Sequence, residues 1–226
     1  MKLDLQKPIL YLITRGATTE TTTGDSPEFK QILEQISSAV AAGIDLIQIR
    51  EKRLAARVLF ELTEHAVAIT RGTDTQLLVN DRADIAAAVA AGGVHLATTS
   101  LPTSIIRATF GDDFLIGAST HSREQLHAAR DGGADFAVFG PIFETGSKLQ
   151  YGPPLGLEQL TNAARELPAF PLLALGGMSV ENAQQCIRAG ASGIAGITLF
   201  ADSKNLKVTV AAIRSLTLVI RRANEE

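Results

Sequence analysis

Short apolar runs recur along this chain, each ending in a few polar or glycine residues and each followed by a stretch with helical spacing. Ile44-Asp45-Leu46-Ile47-Gln48-Ile49-Arg50-Glu51-Lys52 has this form. So do Leu77-Leu78-Val79-Asn80-Asp81-Arg82, Phe136-Ala137-Val138-Phe139-Gly140-Pro141 and Leu172-Leu173-Ala174-Leu175-Gly176-Gly177. A strand covered by helices on both faces reads as a continuous apolar run rather than as an alternating one. Eight such runs fall at residues 9–14, 45–50, 76–80, 93–96, 114–119, 135–140, 171–176 and 193–198. Helices are predicted over residues 29–42, 54–70, 83–91, 103–110, 123–131, 157–166, 180–189 and 206–223. In the first of them Phe29, Ile32, Leu33, Ile36 and Val40 share one face, the helical period. Ser26-Pro27 supplies an N-cap and a first-turn proline, and Gly43 a stop. Ser179 is a natural N-cap, and Gly92 and Gly132 are natural stops.

Eight alternations of strand and helix predict an α/β chain folded as one (β/α)8 TIM barrel over residues 1–226. An open doubly wound sheet usually carries Gly-x-Gly-x-x-Gly after its first strand. Here that strand runs into Leu12-Ile13-Thr14-Arg15-Gly16, without the fingerprint. At 226 residues the chain is compact for a barrel that typically takes about 250. Such a barrel keeps its chemistry at the C-terminal ends of its strands, where the polar residues of this chain gather.

A net charge of -3 and a pI near 5.8 argue against a nucleic-acid partner, since such domains are usually basic. No apolar run approaches the length of a membrane span, so no membrane partner is expected. The single cysteine, Cys186, allows no intrachain disulfide and reads as a small buried residue. With no secretory signal in view, a reducing cytoplasm is the expected location. The oligomeric state, a homo-oligomer included, is left open.

At the second strand end Gln48, Arg50 and Lys52 alternate with Ile49 and Glu51, so an extended chain points all three one way. Donors gathered there call for an anion, which Arg can grip bidentately and Lys as a point charge. The competing reading is a solvated charged turn. Asp81, in Asn80-Asp81-Arg82, could carry Mg2+ that bridges to phosphate oxygens, or could cap the helix starting near Ala83. Glu144-Thr145-Gly146-Ser147-Lys148 offers hydroxyls, a glycine and a cation, a phosphate clasp, and Gly152-Pro153-Pro154-Leu155-Gly156 closes that loop. Gly176-Gly177 and Gly193-Ile194-Ala195-Gly196-Ile197-Thr198 end the last two strands, a frequent phosphate site in these barrels. Together they make two anion sites on one face, suited to one diphosphate and one monophosphate ligand. His121 is a candidate acid or base, His95 a core residue, and His65 and His127 helix-surface residues.

From about Leu10 to Phe200 the chain resembles the thiamine phosphate synthases and their TenI-like relatives. The markers are Tyr11-Leu12-Ile13-Thr14, Gln48-Ile49-Arg50-Glu51-Lys52, Asn80-Asp81-Arg82, Gly93-Val94-His95-Leu96, Ser119-Thr120-His121, Gly140-Pro141-Ile142-Phe143, Gly176-Gly177-Met178 and Ala189-Gly190-Ala191-Ser192-Gly193. The resemblance implies a barrel that joins hydroxymethylpyrimidine diphosphate to thiazole phosphate, with Mg2+ as cofactor and phosphorylated small molecules as partners. It implies that Gln48, Arg50, Lys52, Asn80 and Lys148 hold the pyrimidine diphosphate, that Ser119 lies near the pyrimidine and that Asp81 binds Mg2+. Arg50, Lys52, Ser119 and Lys148 are then the catalytic set. Thr145, Gly146 and Ser147 would clasp the thiazole, and Gly177, Ile197 and Thr198 its phosphate. The implied route is dissociative: diphosphate leaves, and the thiazole nitrogen attacks the pyrimidine methylene cation.

Three positions depart from the synthase pattern. Ser100 stands where the pattern has a second metal-binding Asp, Ser147 where Thr is commoner, and Arg15 where Asp is frequent. The TenI-like tautomerases carry a catalytic His where this chain has Pro141, although Glu144-Thr145 is TenI-like. A tautomerase and a non-catalytic binder of thiamine phosphate are therefore the alternative readings.

Overall fold

The computed structural model describes residue 3, residues 5–145 and residues 153–223. Eight parallel strands close into a barrel in sequence order, the last pairing with the first. They are β1 (Ile9–Ile13), β2 (Leu46–Ile49), β3 (Gln76–Asn80), β4 (Gly93–Leu96), β5 (Leu115–Thr120), β6 (Phe136–Phe139), β7 (Leu172–Ala174) and β8 (Gly193–Gly196). Among the described residues eight helices alternate with them: α1 (Pro27–Ala42), α2 (Ala56–Thr70), α3 (Ala83–Ala88), α4 (Thr103–Phe110), α5 (Arg123–Asp131), α6 (Gly156–Glu166), α7 (Val180–Arg188) and α8 (Leu206–Ala223). The (β/α)8 expectation holds, and none of the described helices is long and apolar enough to cross a membrane.

The apolar runs divide by parity. Ile9, Tyr11, Ile13, Leu46, Leu78, Leu115, Phe136, Val138, Leu173 and Ala195 form one cluster inside the barrel. Their neighbours Leu10, Leu12, Ile47, Ile49, Leu77, Val79, Ala137 and Phe139 pack outward against the helices. Glycines admit the closest approaches: a Cβ at Gly93 would lie 1.9 Å from the Leu115 carbonyl oxygen.

Several element ends differ from the sequence expectation for local reasons. Helix α1 starts at Pro27, whose fixed φ suits the first turn, while the Ser26 hydroxyl accepts from Thr23 N at 2.9 Å instead of capping. Gly43 does end α1, at φ 80°. Helix α3 stops at Ala88, because the chain turns at Ala90 (φ 55°) before it reaches Gly92. Helix α7 has its full capping box, Ser179 with Asn182.

Two matched brackets hold the N-terminal face of the barrel. The Asp45 carboxylate, ahead of β2, accepts from Leu10 N at 2.7 Å and from the Arg214 guanidinium of α8 at 2.6 Å. Arg214 also donates to the carbonyls of Pro8 and Gly43, and Lys7 pairs with Asp45 at 3.2 Å. Ahead of β6, Asp135 accepts from Ile116 N and from Arg107, each at 2.7 Å, and Arg107 also donates to the carbonyls of Gly111, Phe114 and Gly133. In each bracket an aspartate caps the neighbouring strand and an arginine seals it to a helix.

Replacing Arg214 by alanine should cost about 2 kcal/mol, since three acceptors lose a charged donor at a partly buried seam; urea unfolding at constant m measures it. Cys186 supplies a second check. Burial pushes its thiol up to about 12. Native protein should therefore resist thiol reagents at pH 8 and react once unfolded. Between pH 9 and pH 12 the unfolded thiol loses its proton while the folded one keeps it, so this group makes stability fall as pH rises.

Candidate active site

The inward positions at the C-terminal mouth are polar along one arc and apolar along the other. Gln48 on β2, Asn80 on β3, His95 on β4 and Ser119 on β5 lie on four consecutive strands. Ile13 at the end of β1, Leu175 after β7 and Ile197 after β8 form the other arc and pack on the interior cluster. Strand parity sets this arrangement: Ile13, Gln48, Asn80, Leu175 and Ile197 each stand two residues above an inward core residue, and His95 and Ser119 two above Gly93 and Gly117.

The polar arc is joined by one run of hydrogen bonds. Tyr11 Oη donates to Gln48 Oε1 at 3.2 Å, Gln48 Nε2 to Asn80 Oδ1 at 2.9 Å, and Asn80 Nδ2 to Asp81 Oδ2 at 2.7 Å. From the other side Ala97 N donates to Asp81 Oδ1 at 3.1 Å, and the Ser100 hydroxyl donates to the same oxygen. Every proton in the run points toward the Asp81 carboxylate. Burial raises the Tyr11 hydroxyl well above its ordinary range, so Tyr11 remains a donor. Alongside, Ser119 Oγ and His95 Nε2 share a hydrogen bond of 2.9 Å. His95 also packs on Tyr11 and Phe136, a space opened by Gly117, whose Cβ would lie 2.6 Å from His95 Nδ1.

The Asp81 backbone has φ 60°, a left-handed conformation that Asp tolerates better than most residues. That turn swings the carboxylate across to the segment after β4. It settles the capping alternative: Arg82 is the N-cap of α3, and no side chain caps that helix. Arg82 instead pairs with Asp84 at 2.6 Å, which holds the Asp84 carboxyl below its ordinary range.

The second strand end needs correcting. Strand β2 stops at Ile49, and Lys52 sits exposed in the following turn, so Gln48, Arg50 and Lys52 do not line one extended segment. Gln48 is buried and paired with Tyr11 and Asn80, so it requires no anion. Arg50 is half-buried just beyond the strand. Sequence reading passed over Glu51, which is buried and bonded to residues 14–18. It lies under the loop that leaves β1, a contact that no local pattern announces. Tyr11 was likewise noted only as part of a marker.

On the opposite arc, Gly177, Ile197 and Thr198 follow the paired strands β7 and β8. Gly177 and Thr198 are exposed and Ile197 is half-buried. Gly177, at φ 61°, packs on the segment after β6: a Cβ there would lie 2.5 Å from the Glu144 carbonyl oxygen. The glycine pair therefore first serves close packing of the chain on itself. That segment is pinned by Ile142 N to Leu175 O at 2.8 Å and Phe143 N to Gly176 O at 3.1 Å. The chain returns where Leu155 N donates to Pro141 O at 2.8 Å. Thr145 is half-buried, whereas Gly146, Ser147 and Lys148 lie outside the described residues. His121 Nδ1 meets the Gly140 carbonyl, and His127 pairs with Glu166 at 3.1 Å on the outer surface.

A Mg2+ ion needs several hard oxygens, and it is usually bound through one or two carboxylates plus substrate phosphates. Among the described residues no three His, Cys, Asp or Glu side chains gather as a metal cage. Residues 146–152 add no acidic residue or histidine. Asp81 with Ser100 beside it fits an ion that arrives largely ligated by phosphate, and does not fit a resident metal.

A closed barrel with a polar arc and an apolar arc at its C-terminal mouth belongs to the class of (β/α)8 enzymes. Residues 10–200 match the family model described as thiamine monophosphate synthase, TMP-TENI. The thiamine-phosphate synthase of Chlorobium luteolum is 40% identical over 220 residues, 96% of this chain and 96% of that one. One from a Roseiflexus species is 36% identical over 96% of this chain and 87% of its own. Among solved structures, the thiamine phosphate pyrophosphorylase of Pyrococcus furiosus aligns at TM-score 0.78 and 28% identity, covering 94% of this chain and 96% of that one. This chain belongs to the thiamine monophosphate synthase family.

Gln48→Leu should destabilise the protein by about 1–3 kcal/mol, because it strands the buried Tyr11 hydroxyl. Adding Tyr11→Phe should recover part of that loss. Thermal unfolding of both singles and the double measures the coupling, and strict additivity would refute the run of bonds.

Proposed function

We propose that this chain is a transferase that joins hydroxymethylpyrimidine diphosphate to thiazole phosphate, giving thiamine phosphate and diphosphate. The observation that carries the reading is the two-sided mouth, in a chain whose relatives are named thiamine-phosphate synthases. The polar arc of Gln48, Asn80 and Asp81 lies beside Arg50 and suits the diphosphate. The apolar arc of Ile13, Leu175 and Ile197 offers a dry surface to two flat rings.

In this reading Arg50, with Lys52 and Lys148, neutralises charge that grows on the departing diphosphate, the largest electrostatic demand of the reaction. Gln48 and Asn80 hold their orientation through each other and leave the remaining amide hydrogens for phosphate oxygens. Ser119, fixed by His95, presents its hydroxyl to the pyrimidine. Thr145, Gly146 and Ser147 hold the thiazole, and backbone at Gly177, Ile197 and Thr198 its phosphate, so the ring nitrogen faces the methylene carbon that loses diphosphate. Positioning of this kind replaces a side-chain nucleophile. Asp81 would hold Mg2+, which when bound supplies further positive charge to the diphosphate. The tautomerase alternative is disfavoured at Pro141, a buried proline against which Gly176 packs, where that chemistry needs an imidazole. The reading places the work in a reducing cytoplasm, in keeping with a single buried thiol.

The expected result is diphosphate release that requires both substrates and rises with Mg2+. Ser100→Asp, which adds a second carboxylate beside Asp81, should lower the Mg2+ needed for half-maximal rate by about tenfold. No release at saturating Mg2+ from either form would refute the synthase reading.

A further inference from the structure

One acidic side chain beside the mouth has no part in the reaction described above. Glu51 directly follows Arg50 but lies on the other side of the chain, 3% exposed. Its carboxylate accepts four hydrogen bonds, all from the loop that leaves β1. Thr14 Oγ1 donates to Oε1 at 2.6 Å and Gly16 N at 3.0 Å. Thr18 N donates to Oε2 at 3.1 Å and Thr18 Oγ1 at 2.8 Å. Among the described residues no cation pairs with it. Burying an ionised carboxylate is costly unless other donors replace its water, and here all of them come from residues 14–18.

This knot reaches the mouth by two routes. Thr14 Oγ1, while donating to Glu51, accepts from Arg50 N at 2.8 Å. Gly16, at φ 73°, passes so close to Arg50 that a Cβ there would lie 3.3 Å from the Arg50 carbonyl oxygen and 3.8 Å from a guanidinium nitrogen. Glu51 thus fixes both the backbone from which Arg50 projects and the loop that flanks its guanidinium.

We propose that Glu51 is a positioning residue: it holds loop 14–18 against Arg50, so that the guanidinium already stands in place when a diphosphate group arrives. The inference rests on the proposed function for the identity of the anion. Side-chain entropy lost in the folded protein is then not lost again on binding, so the effect falls on diphosphate affinity.

The test is calorimetric binding of inorganic diphosphate with Mg2+ to the full chain, which needs no turnover. Glu51→Gln should weaken binding by about tenfold or more, and Thr18→Val, which removes one hydroxyl bond remote from the anion, by about threefold. Binding of thiazole phosphate at the opposite arc should stay within about twofold, and amide exchange in residues 14–18 should accelerate. A folded Glu51→Gln protein that melts earlier but binds diphosphate like wild type would overturn the proposal. So would unchanged affinity in Thr18→Val, which decides the matter even where Glu51→Gln does not fold. Wild-type protein that binds no diphosphate would sink the proposed function and this inference together, whereas wild-type binding with indifferent variants would sink the inference alone.

Discussion

A polar side chain can stand inside a parallel barrel only if another side chain or backbone group takes the place of water. The mouth of this protein depends on that constraint. Tyr11 and Gln48 each give a hydrogen bond to the next strand's residue, and Asn80 closes the series on the carboxylate of Asp81, its neighbour in the chain. Because the terminus is an anion, every donor in the series has one preferred direction, and amides that could flip do not. One residue without a hydrogen bond would leave its neighbour unsatisfied, at greatest cost at the buried Tyr11 and Gln48. The polar arc is therefore one unit, built before any ligand enters.

The rest of the fold keeps that unit in register. At the N-terminal face the Asp45–Arg214 and Asp135–Arg107 brackets tie strand starts to helices. At the C-terminal face Glu51 ties the loop after β1 to the end of β2. Between them the core is filled by large side chains such as Tyr11 and Phe136 on the inside and by Leu and Ile under the helices. Strand positions are set from both ends, so side chains at the mouth inherit the rigidity of the barrel rather than the freedom of loops.

Asp81 shows how function and strain meet. Its left-handed backbone is an uncommon conformation for a residue with a side chain, and it aims the carboxylate at Ser100 and Ala97 instead of down the helix it precedes. The hydroxyl at position 100 makes this place a hydrogen-bonded pair.

The periodicity of the sequence determined the barrel, its eight strands and the end at which polar residues collect, because burial on both faces leaves no other pattern for a parallel strand. It also marked Gln48, Asn80 and Asp81 near the ends of apolar runs, whereas Ser119 was singled out only by the family resemblance. What the tertiary structure decided is how those residues are used. Gln48 needs a partner 37 residues away in Tyr11 and another 32 away in Asn80, and no local pattern announces such contacts. Lys52 left the alternation because β2 ends at Ile49 and the chain turns at residues 52–53. Glu51, charged and between two cations, carried no local sign of burial, yet the loop after β1 folds over it and gives its carboxylate four hydrogen bonds. Periodicity reports which way a side chain points; only the closed barrel brings the distant donors that decide what a buried charge can do there.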